Sequence, residues 1–152
     1  GFDTFEGFPK EPHKKDGGHS ATSKGAYSTE KNYEEILEKI LEYHESENPI
    51  SHIKKFEIVK GDIEKTLDGY LNQNPHTLIA LAYIDFNLYE PTKYVLEKIK
   101  PFLTKGSILA FDDMNHDTFP GETRAISEVL GLEKISLRRM PYQPWGAYTV
   151  IE

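Results

Sequence analysis

The chain contains no cysteine, and this absence excludes several classes of function before any motif is considered. Disulfide frameworks, thiolate nucleophiles and cysteine-ligated zinc sites all require that side chain. The sequence also lacks an apolar run approaching the roughly 20 residues that a membrane-spanning helix needs. No secretory signal peptide opens it. A cytoplasmic setting without a membrane partner is therefore the default expectation.

Positive charge is scarce relative to negative charge. The sequence has 18 lysines and arginines against 25 aspartates and glutamates, which gives a net charge of −7 at pH 7. An acidic surface repels phosphate backbones, so we expect no nucleic-acid partner. With 38% hydrophobic and 28% charged residues over 152 positions, the composition predicts a single globular domain that spans residues 1–152.

The first residues resemble the end of a structural element rather than its beginning. No methionine opens the chain, and residues 1–9 are typical of a strand end followed by a turn. A strand end without its strand favours an N-terminally truncated chain. The alternative is a short domain with an ordinary tail.

Strands and helices alternate along the rest of the sequence. Residues 10–27 are rich in Lys, Gly, Ser and His, which predicts a mobile loop. Helices are predicted after Ser28 or Thr29, after Gly61-Asp62, from Glu90-Pro91 and over 122–130, and strands over 54–60, 77–84, 107–111, 135–139 and 147–151. The alternation predicts an α/β fold, with a mostly parallel sheet, helices on both faces and a C-terminal antiparallel hairpin.

Two successive apolar strands end in carboxylates. Asp85 follows residues 77–84, and Asp112 and Asp113 follow residues 107–111. A right-handed crossover commonly places two such strands side by side, and ligands bind at the carboxyl ends of strands in open α/β sheets. Three converging carboxylates repel one another unless a cation binds, and oxygen ligands select Mg²⁺, Mn²⁺ or Ca²⁺. The alternative is that these residues only cap turns.

Four motifs that occur in one order identify a family. They are residues 2–9 (FDTFEGFP), 60–67 (KGDIEKTL), 83–89 (YIDFNLY) and 111–113 (FDD). The series resembles the macrocin O-methyltransferase family, which includes sugar O-methyltransferases of antibiotic biosynthesis. The resemblance implies a partial Rossmann-like sheet that binds S-adenosylmethionine.

The same resemblance implies a role for each acidic motif residue. Asp3 would accept hydrogen bonds from the cofactor ribose, and Asp62 would contact the adenine amino group. Asp85, Asp112 and Asp113 match the family's Mg²⁺ ligands, where Mn²⁺ is the alternative. The metal would hold vicinal hydroxyls of a sugar, and the loop at 10–27 would fold over that substrate.

The sequence departs from the family's pattern in two respects. Nothing matches the first strand and glycine-rich loop that hold the methionine part of the cofactor, so we expect the isolated chain to be inactive. The family's general base is an aspartate where this chain has Asn87, which cannot take a proton. The catalytic base is therefore unknown. His116 is a weak candidate for the base, because a histidine in a surface loop more often has no catalytic role.

A few aromatic and basic residues near the C-terminus are weaker candidates. Trp145 with Tyr142 and Tyr148 could line a substrate pocket, although aromatic residues in a hairpin more often belong to the core. Arg124 and the pair at 138–139 could meet a phosphate, although surface arginines are ordinary.

The leading hypothesis is a metal-dependent O-methyltransferase acting on a hydroxyl of a sugar or sugar-bearing metabolite. One alternative is an inactive methyltransferase-like remnant that binds only a metal or a partner, which Asn87 favours. A second is a metal-dependent hydrolase or hydroxylase on the same fold. The expected partner is a small-molecule sugar or glycosylated acceptor, and the sequence leaves a homo-oligomer open.

Overall fold

The computed structural model describes residues 1–152. Four α-helices and six strands follow one another along the chain. They are β1 (Phe2–Asp3), α1 (Tyr33–Glu47), β2 (Val59–Lys60), α2 (Ile63–Gln73), β3 (Ile79–Ile84), α3 (Tyr89–Ile99), β4 (Leu103–Phe111), α4 (Pro120–Leu130), β5 (Arg138–Arg139) and β6 (Ala147–Val150). None of the helices combines the length and hydrophobicity needed to span a bilayer.

The strands form two sheets. A four-stranded sheet has the order β3-β4-β6-β5, in which β3 and β4 are parallel while β6 is antiparallel to both β4 and β5. The short strands β1 and β2 form a separate parallel pair. The predicted α/β fold with a C-terminal antiparallel hairpin is confirmed, and the sheet is mixed.

One hydrophobic core holds the larger sheet against three helices. Its buried members come from α2, α3 and α4 and from β3 and β4: Ile63, Leu67, Leu71, Ile84, Val95, Leu96, Ile99, Leu109, Phe111 and Ile126. In α2 and α3 these residues recur at helical spacing, so each helix turns one apolar stripe toward the sheet. The core fixes where β3 and β4 end.

The apolar run at β3 predicts a strand that is covered on both faces, and this detail is wrong. Leu81 is 59% exposed and Tyr83 is 60% exposed, whereas Ile84 is 2% exposed. The reason is that the core helices cover only the face of β3 on which Ile84 lies.

Two other predicted boundaries shift. The strand predicted over 54–60 pairs only at Val59–Lys60, where β1 provides the partner. The helix predicted after Ser28 or Thr29 begins at Tyr33, because Asn32 adopts a left-handed conformation with φ 62° immediately before it. The first part of α1 carries its apolar stripe on an exposed face, which includes Ile36 and Ile40.

Candidate functional site

The carboxylates that follow β3 and β4 converge at one edge of the sheet. Ile84 and Phe111 are paired across the parallel ladder, so the residues after them emerge side by side. One side-chain oxygen from each of Asp85, Asp112 and Asp113 lies within 4.8 Å of the others. The convergence agrees with the geometry that the strand ends predict, and metal binding there stays a prediction.

This cluster concentrates negative charge in a partly desolvated place. Loss of solvent raises the pKa of Asp85 above its ordinary value, and the charges of Asp112 and Asp113 raise it further. Burial also raises the pKa of Asp113, although nearby His116 opposes that shift. A bound cation would favour the ionised carboxylates, and an all-oxygen set of donors fits Mg²⁺ or Mn²⁺.

Two further side chains donate hydrogen bonds directly to the candidate metal ligands. The Tyr83 hydroxyl donates to Asp112 Oδ1, and this hydrogen bond raises the pKa of the Tyr83 phenol. Asn87 Nδ2 donates to Asp113 Oδ2. Sequence reasoning missed Tyr83, although the two-residue period of a strand places it on the same side as Asp85.

A buried carboxyl, Glu122 in the first turn of α4, lies behind the cluster. Glu122 is 0% exposed, and its Oε1 accepts a hydrogen bond of 3.1 Å from the backbone N–H of Asp113. Burial raises the pKa of Glu122 to about 8. Its other oxygen, Oε2, has no hydrogen-bond partner. Sequence reasoning missed Glu122. Its helical spacing from Ile126 could have revealed it, because that spacing places an acid on the buried face of α4.

His116 lies beside the cluster in an aromatic setting. Its ring centroid is 4.3 Å from that of Trp145 and 5.1 Å from that of Phe119. Nδ1 accepts a 3.0 Å hydrogen bond from the Thr118 backbone. In the neutral imidazole the proton is then on Nε2, which can donate a hydrogen bond.

The structure does not unite the other C-terminal candidates into one pocket wall. Tyr142 is 97% exposed, whereas Tyr148 is paired with Ala110 inside the β4–β6 ladder. Arg124 donates to the Lys15 carbonyl at 2.7 Å, and its guanidinium is therefore engaged within the chain.

A cavity of about 270 Å³ lies where the two sheets end. The residues after β1, β2 and β3 all line it, including Asp3, Asp62 and Asp85. Asp3 Oδ1 accepts from the Phe5 backbone at 2.6 Å, which shapes the turn after β1. Asp62 caps α2 by accepting from the Glu64 backbone at 3.1 Å. Its buried Oδ2 has no hydrogen-bond partner and lies 3.6 Å from the Lys65 ammonium in an ion pair. Both residues predicted to bind the cofactor therefore face one cavity together with Asp85.

The segment predicted as a mobile loop, residues 10–27, forms another wall of this cavity. It contains two short 3₁₀ turns, Lys14–Asp16 and Ser20–Thr22. Asp16 is buried, and its carboxylate accepts from the backbones of His13 and Tyr89, each at 2.7 Å. This carboxylate therefore fastens the segment to the N-terminus of α3. Its mobility stays a prediction.

The chain is similar to known proteins in sequence and in fold. The profile of a family described as "Methyltransferase domain" matches residues 2–114. The crystal structure of CalS11, a calicheamicin methyltransferase, superposes with a TM-score of 0.93 and 42% identity over 99% of this chain and 58% of that chain. An apo structure of CalS11, described as a TDP-rhamnose 3′-O-methyltransferase of calicheamicin biosynthesis, gives a TM-score of 0.76 and 46% identity over 80% of this chain and 54% of that chain.

A more distant solved structure shares the fold alone. The O-methyltransferase NovP superposes with a TM-score of 0.68 at 19% identity, over 99% of this chain and 58% of that chain. No curated protein sequence matches. The chain thus spans less than two thirds of the length of these solved structures. On its match over residues 2–114 and its likeness to CalS11, the chain belongs to the methyltransferase-domain family.

Proposed function

We propose that the protein is an S-adenosylmethionine-dependent O-methyltransferase of the macrocin type, which methylates a hydroxyl of a sugar or sugar-bearing metabolite with the help of a divalent cation. The observation that carries this proposal is the convergence of three carboxylates at the rim of the cavity that Asp3 and Asp62 line. The similarity to CalS11 supports the sugar acceptor, because that protein is described as a TDP-rhamnose 3′-O-methyltransferase.

The cofactor would lie in the cavity where the two sheets end. Asp3 keeps one carboxylate oxygen outside its turn hydrogen bond, and this oxygen would accept from a ribose hydroxyl. The buried Oδ2 of Asp62 would accept from the adenine amino group, which would satisfy an atom that otherwise has no hydrogen-bond partner. The bound cofactor supplies an electrophilic methyl group on its sulfonium.

The cation would be held by Asp85, Asp112 and Asp113, whose carboxylate oxygens fit Mg²⁺ or Mn²⁺. When bound, it supplies positive charge that orients the acceptor hydroxyl and lowers its pKa. The side chains of Tyr83 and Asn87 would fix the orientation of two of these carboxylates by donating to them.

The acceptor hydroxyl would receive the methyl group that bound S-adenosylmethionine supplies. The acceptor oxygen also loses its proton. Asn87 has no basic atom near neutral pH, and the Nδ1 atom of His116 already accepts from Thr118. The proton would therefore leave to solvent water rather than to either of these side chains.

Transfer of a radiolabelled methyl group from S-adenosylmethionine tests the function. The full-length protein is incubated with TDP-rhamnose and related nucleotide sugars, with Mg²⁺ or with EDTA. We expect methylation of a sugar hydroxyl in the presence of Mg²⁺ and no methylation in the presence of EDTA. If the protein binds S-adenosylmethionine and metal but methylates no sugar hydroxyl, the inactive-remnant alternative is favoured.

A further inference from the structure

Asn87 lies in a tight turn that fixes the direction of its side chain. The backbone N–H of Leu88 donates to the Phe86 carbonyl at 2.6 Å, which closes a turn around Asn87. Asn87 itself is left-handed, with φ 59°, a conformation that asparagine adopts at lower cost than most residues. The turn directly follows the strand end that carries Asp85.

The amide of Asn87 connects the ends of two strands. Its Nδ2 donates to Oδ2 of Asp113, which is 26 positions away in sequence and follows β4. Asp113 is almost buried, with 5% of its surface exposed, so few water molecules can replace this donor. A carboxylate at position 87 would instead bring two acceptors together. The side chain at this position therefore serves Asp113 as a donor.

Glu122 holds Asp113 from the opposite side. Its Oε1 accepts the backbone N–H of Asp113 at 3.1 Å, and the residue is fully buried in the first turn of α4. Asp113 is thus held through its backbone by α4 and through its side chain by the turn after β3. The side-chain hydrogen bond engages Oδ2 and leaves Oδ1 for another ligand.

We infer that Asn87 and Glu122 are positioning residues that hold Asp113 in the orientation needed to bind a divalent cation. The inference rests on the proposed function, because it requires that Asp85, Asp112 and Asp113 bind the metal. Residues that hydrogen-bond metal ligands orient them, and their loss typically weakens metal binding by about 10- to 100-fold. In this chain Asn87 then acts on the affinity for the cation rather than on proton transfer.

Mn²⁺ affinity of the full-length protein, measured by calorimetry, tests the inference without requiring turnover. The variant Asn87→Gly keeps a residue that accepts the left-handed backbone and removes the donor. Asn115→Gly is its matched control, because Asn115 is also left-handed, with φ 60°, but is exposed and makes no described side-chain hydrogen bond to the carboxylates. We expect the Kd for Mn²⁺ to rise at least tenfold in Asn87→Gly and to be unchanged in Asn115→Gly.

Two variants of Glu122 test the other side of Asp113. Glu122→Gln keeps a carbonyl oxygen that can accept the Asp113 N–H, whereas Glu122→Ala removes the acceptor. We expect Glu122→Ala to weaken Mn²⁺ binding at least tenfold and Glu122→Gln to bind much more tightly than Glu122→Ala. Circular dichroism confirms that each variant is folded before its affinity is compared.

The outcomes separate this inference from the function on which it rests. If the wild-type protein binds no Mn²⁺, the metal-dependent function is wrong and the positioning role is wrong with it. If the wild-type protein binds Mn²⁺ and folded Asn87→Gly binds it equally well, the positioning role of Asn87 alone is wrong. If folded Glu122→Ala binds Mn²⁺ as tightly as the wild type, the positioning role of Glu122 is wrong. Should Glu122→Ala fail to fold, the comparison of Asn87→Gly with Asn115→Gly decides the role of Asn87.

Discussion

Asp16 and Gly121 approach each other so closely that a side chain at Gly121 could not fit. A Cβ atom built on Gly121 would lie 2.0 Å from Asp16 Oδ1 and 2.6 Å from the Tyr89 backbone nitrogen. The same Asp16 oxygen accepts from that nitrogen at 2.7 Å. The loop segment, the start of α3 and the start of α4 therefore meet at one point, and only glycine at position 121 permits it.

We expect Gly121→Ala to destabilise the protein by about 2 kcal/mol, because the methyl group would displace the Asp16 carboxylate from its backbone partners. Urea unfolding measures the effect. Gly69→Ala is the matched control, since a Cβ at this helical position meets no atom within 4 Å and alanine favours the helix. An equal loss of stability in both variants would contradict the close contact.

Asp112→Asn should weaken Mn²⁺ binding more than tenfold, because it removes one of three charged donors. Calorimetry on the full-length protein measures the affinity. Asp117→Asn serves as the control, since Asp117 is an exposed acid on the same loop and lies outside the cluster. Equal Mn²⁺ affinity in wild type and Asp112→Asn would exclude Asp112 as a ligand.

Asp3→Asn should weaken S-adenosylmethionine binding about tenfold, since a ribose hydroxyl would lose a charged acceptor. Glu6→Gln, which removes the same negative charge at an exposed neighbour in the same turn, should leave the affinity unchanged. We expect the isolated 152 residues to bind the cofactor weakly, because no glycine-rich loop is present to hold its methionine part. Micromolar binding by these residues that is lost in Asp3→Ala would contradict that expectation.

Asn87→Asp should not accelerate methyl transfer, even though it restores the residue that the resembled family uses as a base. The new carboxylate would face Asp113 without the hydrogen bond that Asn87 donates. His116→Ala should lower kcat less than tenfold, because Nδ1 already accepts from Thr118. Rates of the full-length enzyme on its acceptor measure both. Faster transfer by Asn87→Asp would show that a base had simply been lost, and a loss of tenfold or more in His116→Ala would assign the base to His116.

Glu122 should make stability depend on pH in the absence of metal. Its pKa is about 8 in the folded protein against an ordinary value of 4.5, so the folded chain holds a proton that the unfolded chain releases between these values. Stability should therefore fall as pH rises through this window, by up to about 1.4 kcal/mol per pH unit. Glu122→Gln should remove this pH dependence. The greater stability of the variant relative to the wild type should vanish below pH 4.5, where Glu122 is protonated in both the folded and the unfolded chain. Thermal unfolding in EDTA from pH 4 to pH 9 measures it, and parallel curves for the two proteins would contradict it.

The order of elements and the convergence of the carboxylates were predictable, because both follow from local patterns. Buried strands have apolar runs, and a strand that ends in aspartate places that side chain at a known edge of a parallel sheet. The assignment to a methyltransferase family followed from four ordered motifs, and the match over residues 2–114 confirms the family.

The contacts between distant residues were not predictable from such patterns. Nothing in the sequence near Asn87 indicates that its amide donates to Asp113, and nothing near Glu122 indicates the Asp113 backbone as its partner. Exposure of one face of β3 was also missed, because an apolar run does not reveal whether a second layer covers the strand. These properties depend on packing between elements that are separated in sequence.

The exposed stripe on α1 has a consequence for local stability. The helix is tied to its surroundings mainly by ion pairs near its two ends, such as Lys60 with Glu34 and Lys55 with Glu45. Few apolar contacts would break if α1 opened, whereas opening β4 would disrupt the core around Leu109 and Phe111. Amide protons in α1 should therefore exchange with deuterium through local opening, well before those of β4, whose exchange requires global unfolding.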